Sequence, residues 1–151
     1  MSNLWEDEKV WLRMTDPGVT QILAISVDPL TENIFYIIPE RGAVLTNIIN
    51  AKNDIIDIGN GELRNREDVA EIVRKEITST LARLQRNHKP YGPLREENIF
   101  FYEGHVLIEN LLLVKSSCQS KELDERQEHS KNLDKLRCII ERMLDYRPKY
   151  I

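Results

Sequence analysis

The sequence predicts an α+β fold in which an antiparallel sheet from three hairpins packs with two amphipathic helices. Three observations lead there. Strand-like apolar runs come in neighbouring pairs separated by turn residues, and two long segments carry apolar residues at helical spacing. Strands and helices do not alternate as βαβ units, so a segregated arrangement is expected. A chain of 151 residues fits one domain and buries roughly two thirds of its unfolded surface.

The first element is an amphipathic arm over residues 1–17, with Leu4, Trp5, Trp11 and Leu12 in pairs seven apart, ending at Asp16-Pro17-Gly18. A core of residues 18–115 follows. Ile22–Val27 and Ile34–Ile38 flank a turn-rich DPLTEN and form the first expected hairpin. Ala43–Ile49 and Asp54–Ile58 form the second, around Asn50-Ala51-Lys52-Asn53. Both carry apolar residues on either side, which predicts at least partial cover on two faces. The clearest element is a helix from Arg66 to Arg86, with Asn65 as N-cap and Glu67 and Asp68 in its first turn. Val69, Ile72, Val73, Ile77, Leu81 and Leu84 form its apolar stripe. The third hairpin joins Asn98–Tyr102 to His105–Val114 through Glu103-Gly104. Residues 116–131 are polar and read as a linker or a solvated helix start. Residues 132–151 form a last helix and tail, with Leu133, Leu136, Ile139, Ile140, Met143 and Leu144 on its apolar face.

Composition limits the function classes. The chain is 41% hydrophobic and 30% charged, as ordinary globular proteins are. Its net charge of −4 is unevenly placed: residues 1–63 hold four basic and ten acidic side chains, and the remainder seventeen and fifteen. That balance points away from nucleic acid, although the second half could still present a local basic face. Cys118 and Cys138 form no framework or CxxC pair. The charged N-terminus is unlike a signal peptide, and no apolar run reaches membrane-spanning length, so no membrane association is expected. These features predict an intracellular protein, cytoplasmic or built into a virion.

None of the familiar phosphate-loop, dinucleotide, zincin, hydrolase or EF-hand motifs occurs. His88, His105 and His129 stand at no metal-ligand spacing, and no cofactor is implied. Glu109, inside HVLIENLLLV, is the oddest residue: it marks either a carboxylate working at the sheet, or a bulge or solvent-facing edge. Asp28 ends a hydrophobic strand. With VLIENLL it resembles the carboxylate strands of RNase H-like resolvases, implying an alternative divalent-metal nuclease that uses Asp28 and Glu109. Leu30 stands where that motif has Gly, and the C-terminal helix lacks the closing pair of Asp residues. Lys75, Arg83 and Arg86 lie along one side of the long helix. Their simpler reading is dipole complementarity plus a Glu71–Lys75 pair at i,i+4.

One further pattern spans two stretches. Ile56–Leu94 holds a polar Gly-containing turn, a helix and a loop ending in Tyr91-Gly92. Leu133–Ile151 is a helix closing on Tyr146, Pro148 and Lys149. Together they resemble the small baseplate wedge proteins of contractile phage tails. The usual Thr-x-x-Gly-Glu loop is replaced by Ala82-Arg83-Leu84-Gln85-Arg86, and the strands expected after the second helix are missing. The resemblance implies a structural subunit of a tail-like or virion assembly. The expected function is therefore a non-catalytic structural or interaction subunit binding protein partners or its own copies. Leu4, Trp5, Trp11, Leu12, Tyr146, Tyr150 and Ile151 are the expected contact residues. A small regulator or inhibitor, with a ligand pocket between sheet and helix, is the other alternative.

Overall fold

The computed structural model describes residues 16–20, 24–37, 42–88, 91, 93–109 and 122–145. Its elements, in order, are β1 (Ala24–Val27), β2 (Ile34–Ile37), α1 (Leu45–Ala51), β3 (Ile55–Asp57), β4 (Leu63–Asn65), α2 (Arg66–Arg86), a short 3₁₀ turn (Glu96–Asn98), β5 (Ile99–Tyr102), β6 (His105–Ile108) and α3 (Glu122–Leu144). Among the described residues the fold is mixed α+β, with three helices and short antiparallel strand pairs. Those pairs do not merge into the single sheet expected: β1 pairs β2, β3 pairs β4 and β5 pairs β6, each separately.

The β5–β6 pair lies at the centre. Its turn residues Glu103 and Gly104 both have positive φ, as a two-residue type I′ turn requires. Two bridges widen it: Val44 pairs antiparallel with Phe100, and Val19 pairs parallel with Ile108. Ile99, Phe100 and Phe101 are all buried, so β5 is covered on both faces. α2 packs against β6 and α3. Its stripe buries Val69, Val73, Ile77, Leu81 and Leu84, with Ile72 partly covered. Asn65 caps this helix, its side chain accepting the Asp68 N–H at 2.8 Å. From α3, Leu136, Ile139 and Met143 enter the same core, Leu133 and Ile140 pack on it, and Leu144 is exposed.

The second expected hairpin is corrected. Leu45–Ala51 is a helix, burying Leu45, Ile48 and Ile49 at i, i+3 and i+4. A short apolar run satisfies either period, and here the neighbouring strand decides. Gly42 approaches β5 so closely that a Cβ there would lie 2.0 Å from the Phe101 carbonyl oxygen. Ala43 accepts the Phe101 N–H at 2.9 Å. After Val44 the chain turns away into the helix. Ile55–Asp57 therefore pairs with Leu63–Asn65 instead, across Gly59-Asn60-Gly61, all three at positive φ. Glycine and asparagine adopt that region at little cost. Among the described side chains of the first hairpin, Val27, Phe35 and Ile37 are about half exposed and lack the cover expected of them.

Arg66 joins the pieces. It begins α2 yet is only 3% exposed. Its Nε donates to the Asn53 carbonyl at 3.0 Å, Nη2 to Ile48 at 3.0 Å and Nη1 to Met143 at 3.4 Å. Two of those carbonyls lie in the last turns of α1 and α3, where orphan acceptors and the helix dipoles favour a cation. Replacing Arg66 with Met should cost about 3 kcal/mol, because buried carbonyls lose their donor. Arg66→Lys should recover only part, since an ammonium lacks the planar fork. Urea unfolding of both variants measures this, and equal stability for Arg66→Met and the wild type would refute the clamp.

Candidate functional site

Two surfaces stand out once the core is assigned. The first is the β1–β2 hairpin. Its register pairs Ala24 with Ile37 and Ser26 with Phe35, so these four share one face, and all four are exposed. Val27, on the opposite face, is 48% exposed, and Leu30 at the tip is 91% exposed. Ile55 and Leu63 on β3–β4 add two further exposed apolar side chains. Free-standing two-stranded pairs are marginal in water, and β1–β2 presents an open apolar face with no Lys or Arg between residues 24 and 37.

The second surface is a cleft of about 630 Å³ over α2. Ile72, Lys75, Glu76, Ser79, Thr80 and Arg83 form its helical wall. Pro17 and Gly18 face them on one side, and His105 and Val106 on the other. The cleft lies beside the point where the segment from Gly18 onward meets β6. Further along, the Ile108 N–H donates to Gly18 and the Thr20 N–H to Ile108, both at 2.9 Å, so the strands pair there. Gly18 lies directly on α2, where an added Cβ would meet Thr80 Oγ1 at 1.9 Å.

Charge in the cleft is mostly matched. Arg83 Nε donates to Asp16 Oδ2 at 2.9 Å, and Nη2 donates to Oδ1 at 3.0 Å and to Thr80 Oγ1 at 3.1 Å. Glu76 Oε1 accepts the Val106 N–H at 3.2 Å and lies 3.6 Å from His105 Nδ1. It occupies the place on the β6 edge that a further strand residue would take. Lys75 is different. The expected Glu71–Lys75 pair is not the hydrogen-bonded one, because Glu71 binds the Arg74 guanidinium. Among the described residues no hydrogen bond or ion pair engages Lys75.

The sequence-selected carboxylates sit on different elements. Asp28 sits at the β1–β2 tip, where its Oδ1 accepts the Leu30 N–H at 2.9 Å. That bond, followed by one from the Thr31 hydroxyl, holds its carboxyl below the usual value. Glu109 follows β6, and its backbone closes the hairpin: its N–H donates to Asn98 and its carbonyl accepts the Tyr91 hydroxyl, both at 2.8 Å. Burial pushes the Tyr91 phenol upward, so it remains a donor. Among the described residues no group of three or more His, Cys, Asp or Glu side chains could hold a metal ion. No described helix is long and apolar enough to cross a membrane. Leu4, Trp5, Trp11, Leu12, Tyr146, Tyr150 and Ile151 lie outside the described residues. The exposed Phe35 and Ile37 were missed because periodicity reports a strand without saying whether anything covers it.

With this geometry established, comparison with known proteins adds no relative: no family model matches the chain, and no curated protein matches it significantly.

Asp16 provides a pH-dependent test of how the cleft is held. Burial opposes its ionisation. The Arg83 hydrogen bonds, the Gly18 N–H and the Arg83 charge outweigh that, leaving the carboxyl below its ordinary 3.8. A carboxyl lowered on folding contributes stability that is present above its unfolded value and is lost as pH falls through the folded one. Wild-type stability should therefore drop below about pH 4, and Asp16→Asn should be less stable at neutral pH with a flatter decline in acid. Chemical denaturation at several pH values measures both slopes; parallel curves for the two proteins would contradict the assignment.

Proposed function

We propose that this chain is a non-catalytic structural or interaction subunit, working inside a phage tail-like or virion assembly. One observation carries the reading: the β1–β2 hairpin holds Phe35, Ile37, Val27 and Leu30 in water. Apolar side chains left exposed together on one hairpin, Phe35 and Ile37 on one face with Val27 behind and Leu30 at the tip, are a usual sign of a protein contact. An extended two-stranded unit also gains from joining a neighbour's strand or surface. The aromatic residues of the N-terminal arm, Trp5 and Trp11, and those of the tail, Tyr146 and Tyr150, supply further anchors from the sequence. The resemblance of Ile56–Leu94 and Leu133–Ile151 to small baseplate wedge proteins gives this contact a setting, a subunit built into a larger ring or sheath.

The proposal favours self-association through the hairpin. Purified protein should run as a defined oligomer by light scattering across a concentration series. Phe35→Glu with Ile37→Glu should reduce the mass to that of the monomer while leaving the monomer folded, because both side chains are exposed. Trp5→Ala with Trp11→Ala should weaken the same oligomer by a factor of ten or more, as aromatic anchors do. A wild-type monomer at every concentration would defeat self-assembly through this face.

A further inference from the structure

We infer that the cleft over α2 is a binding site for a small organic anion, one phosphate or carboxylate group carried on an apolar body. The inference stands apart from the assembly reading, because it uses a different surface.

The cleft's size comes first. At about 630 Å³ it lies in the range of small-molecule sites. Apolar surface from Ile72 and Pro17 lines part of it, suited to the body of a ligand rather than to a bare ion. Its cations are not equivalent. Arg83 is held at two points by Asp16 and acts as a fixed strut. Lys75 shares its local acid: Glu71 is hydrogen-bonded to Arg74 and acts on Lys75 only through its charge, with no direct contact. Ser79 lies one helical turn beyond Lys75 on the same face, where residues four apart are neighbours. Across the gap, His105 is 76% exposed and adds a second nitrogen donor. An ammonium, a hydroxyl and an imidazole around one cleft form a donor set for an oxyanion.

Glu76 is the opposing group. Its carboxylate lines the same cleft, although one oxygen already accepts the Val106 N–H and faces His105. This arrangement gives opposite predictions for two neighbouring substitutions. Lys75→Met removes the anchoring charge and keeps the aliphatic stem. Glu76→Gln removes the repulsion and keeps an oxygen able to accept the Val106 N–H, so the hairpin stays capped.

The test titrates phenyl phosphate, benzoate and inorganic phosphate into the full chain, following backbone amide resonances. Saturable shifts at Lys75, Ser79 and His105 are expected. Phenyl phosphate should bind more tightly than inorganic phosphate, because only the former reaches the apolar wall. The stronger of phenyl phosphate and benzoate identifies the anion as phosphate or carboxylate. Lys75→Met should weaken that ligand about tenfold, the loss of one charge-assisted contact. Glu76→Gln should tighten it about threefold, the scale of an exposed charge interaction. Lys135→Met, on the exposed surface of α3, is the control and should change nothing. The inference is overturned by shifts that do not saturate, by equal effects of Lys75→Met and Lys135→Met, or by weaker binding in Glu76→Gln.

Discussion

A buried guanidinium tolerates few surroundings, and Arg66 has to find its acceptors in pieces of chain far apart in sequence. Ile48, Asn53 and Met143 supply them. Desolvating a charge is costly unless each donor is satisfied, so the ends of α1 and α3 must reach the start of α2 together. The core then fills around that meeting point. Leu45 and Ile48 of α1, Val69 and Val73 of α2, and Ile139 and Met143 of α3 all belong to the same apolar cluster. Hydrophobic burial drives the collapse without direction. The arginine adds the direction.

Smaller polar ties repeat the pattern at the edges. Asn132 of α3 is buried, accepts the Leu94 N–H at 3.0 Å and donates to the Tyr91 carbonyl. It fixes the approach to β5 from the helix side. Asp16 holds the first described segment to Arg83, and Glu76 caps the β6 edge. Each tie joins a helix to something that is not helical. Two of them border the cleft: Asp16 is tied to Arg83 on α2, and Glu76 takes the Val106 N–H on the β6 edge.

How much of this was legible in the sequence depends on the kind of signal. The long helix was legible to its ends, because Asn65, Glu67 and Asp68 mark its start and six apolar residues recur along one face. The turn Glu103-Gly104 was equally plain. The run Leu45–Ile49 was not, because five residues fit a strand or a helix and only the close approach of Gly42 to β5 decides. Gly59-Asn60-Gly61 was a readable turn signal that would have corrected the second pairing. The cleft was less accessible still. Lys75 has acids at both positions 71 and 76, and a one-dimensional rule cannot say that Arg74 takes the first while the β6 edge takes the second. The buried arginine was invisible for a related reason: its acceptors are carbonyls, which every residue has.

The separation of the strand pairs has a consequence for the dynamics of the chain. In a continuous sheet, opening one strand strips hydrogen bonds from its neighbour, and the whole layer resists together. Here, among the described strands, β1 and β2 pair with each other, and Phe35 and Ile37 on one face remain about half exposed. Opening them leaves the Arg66 junction and the β5–β6 centre intact. Such a separation is expected to give two levels of cooperativity in the isolated monomer, a core that unfolds as a unit and a hairpin that opens sub-globally at lower free energy. In the monomer, amide hydrogens in Ala24–Val27 and Ile34–Ile37 are expected to exchange faster than those of Arg66–Arg86.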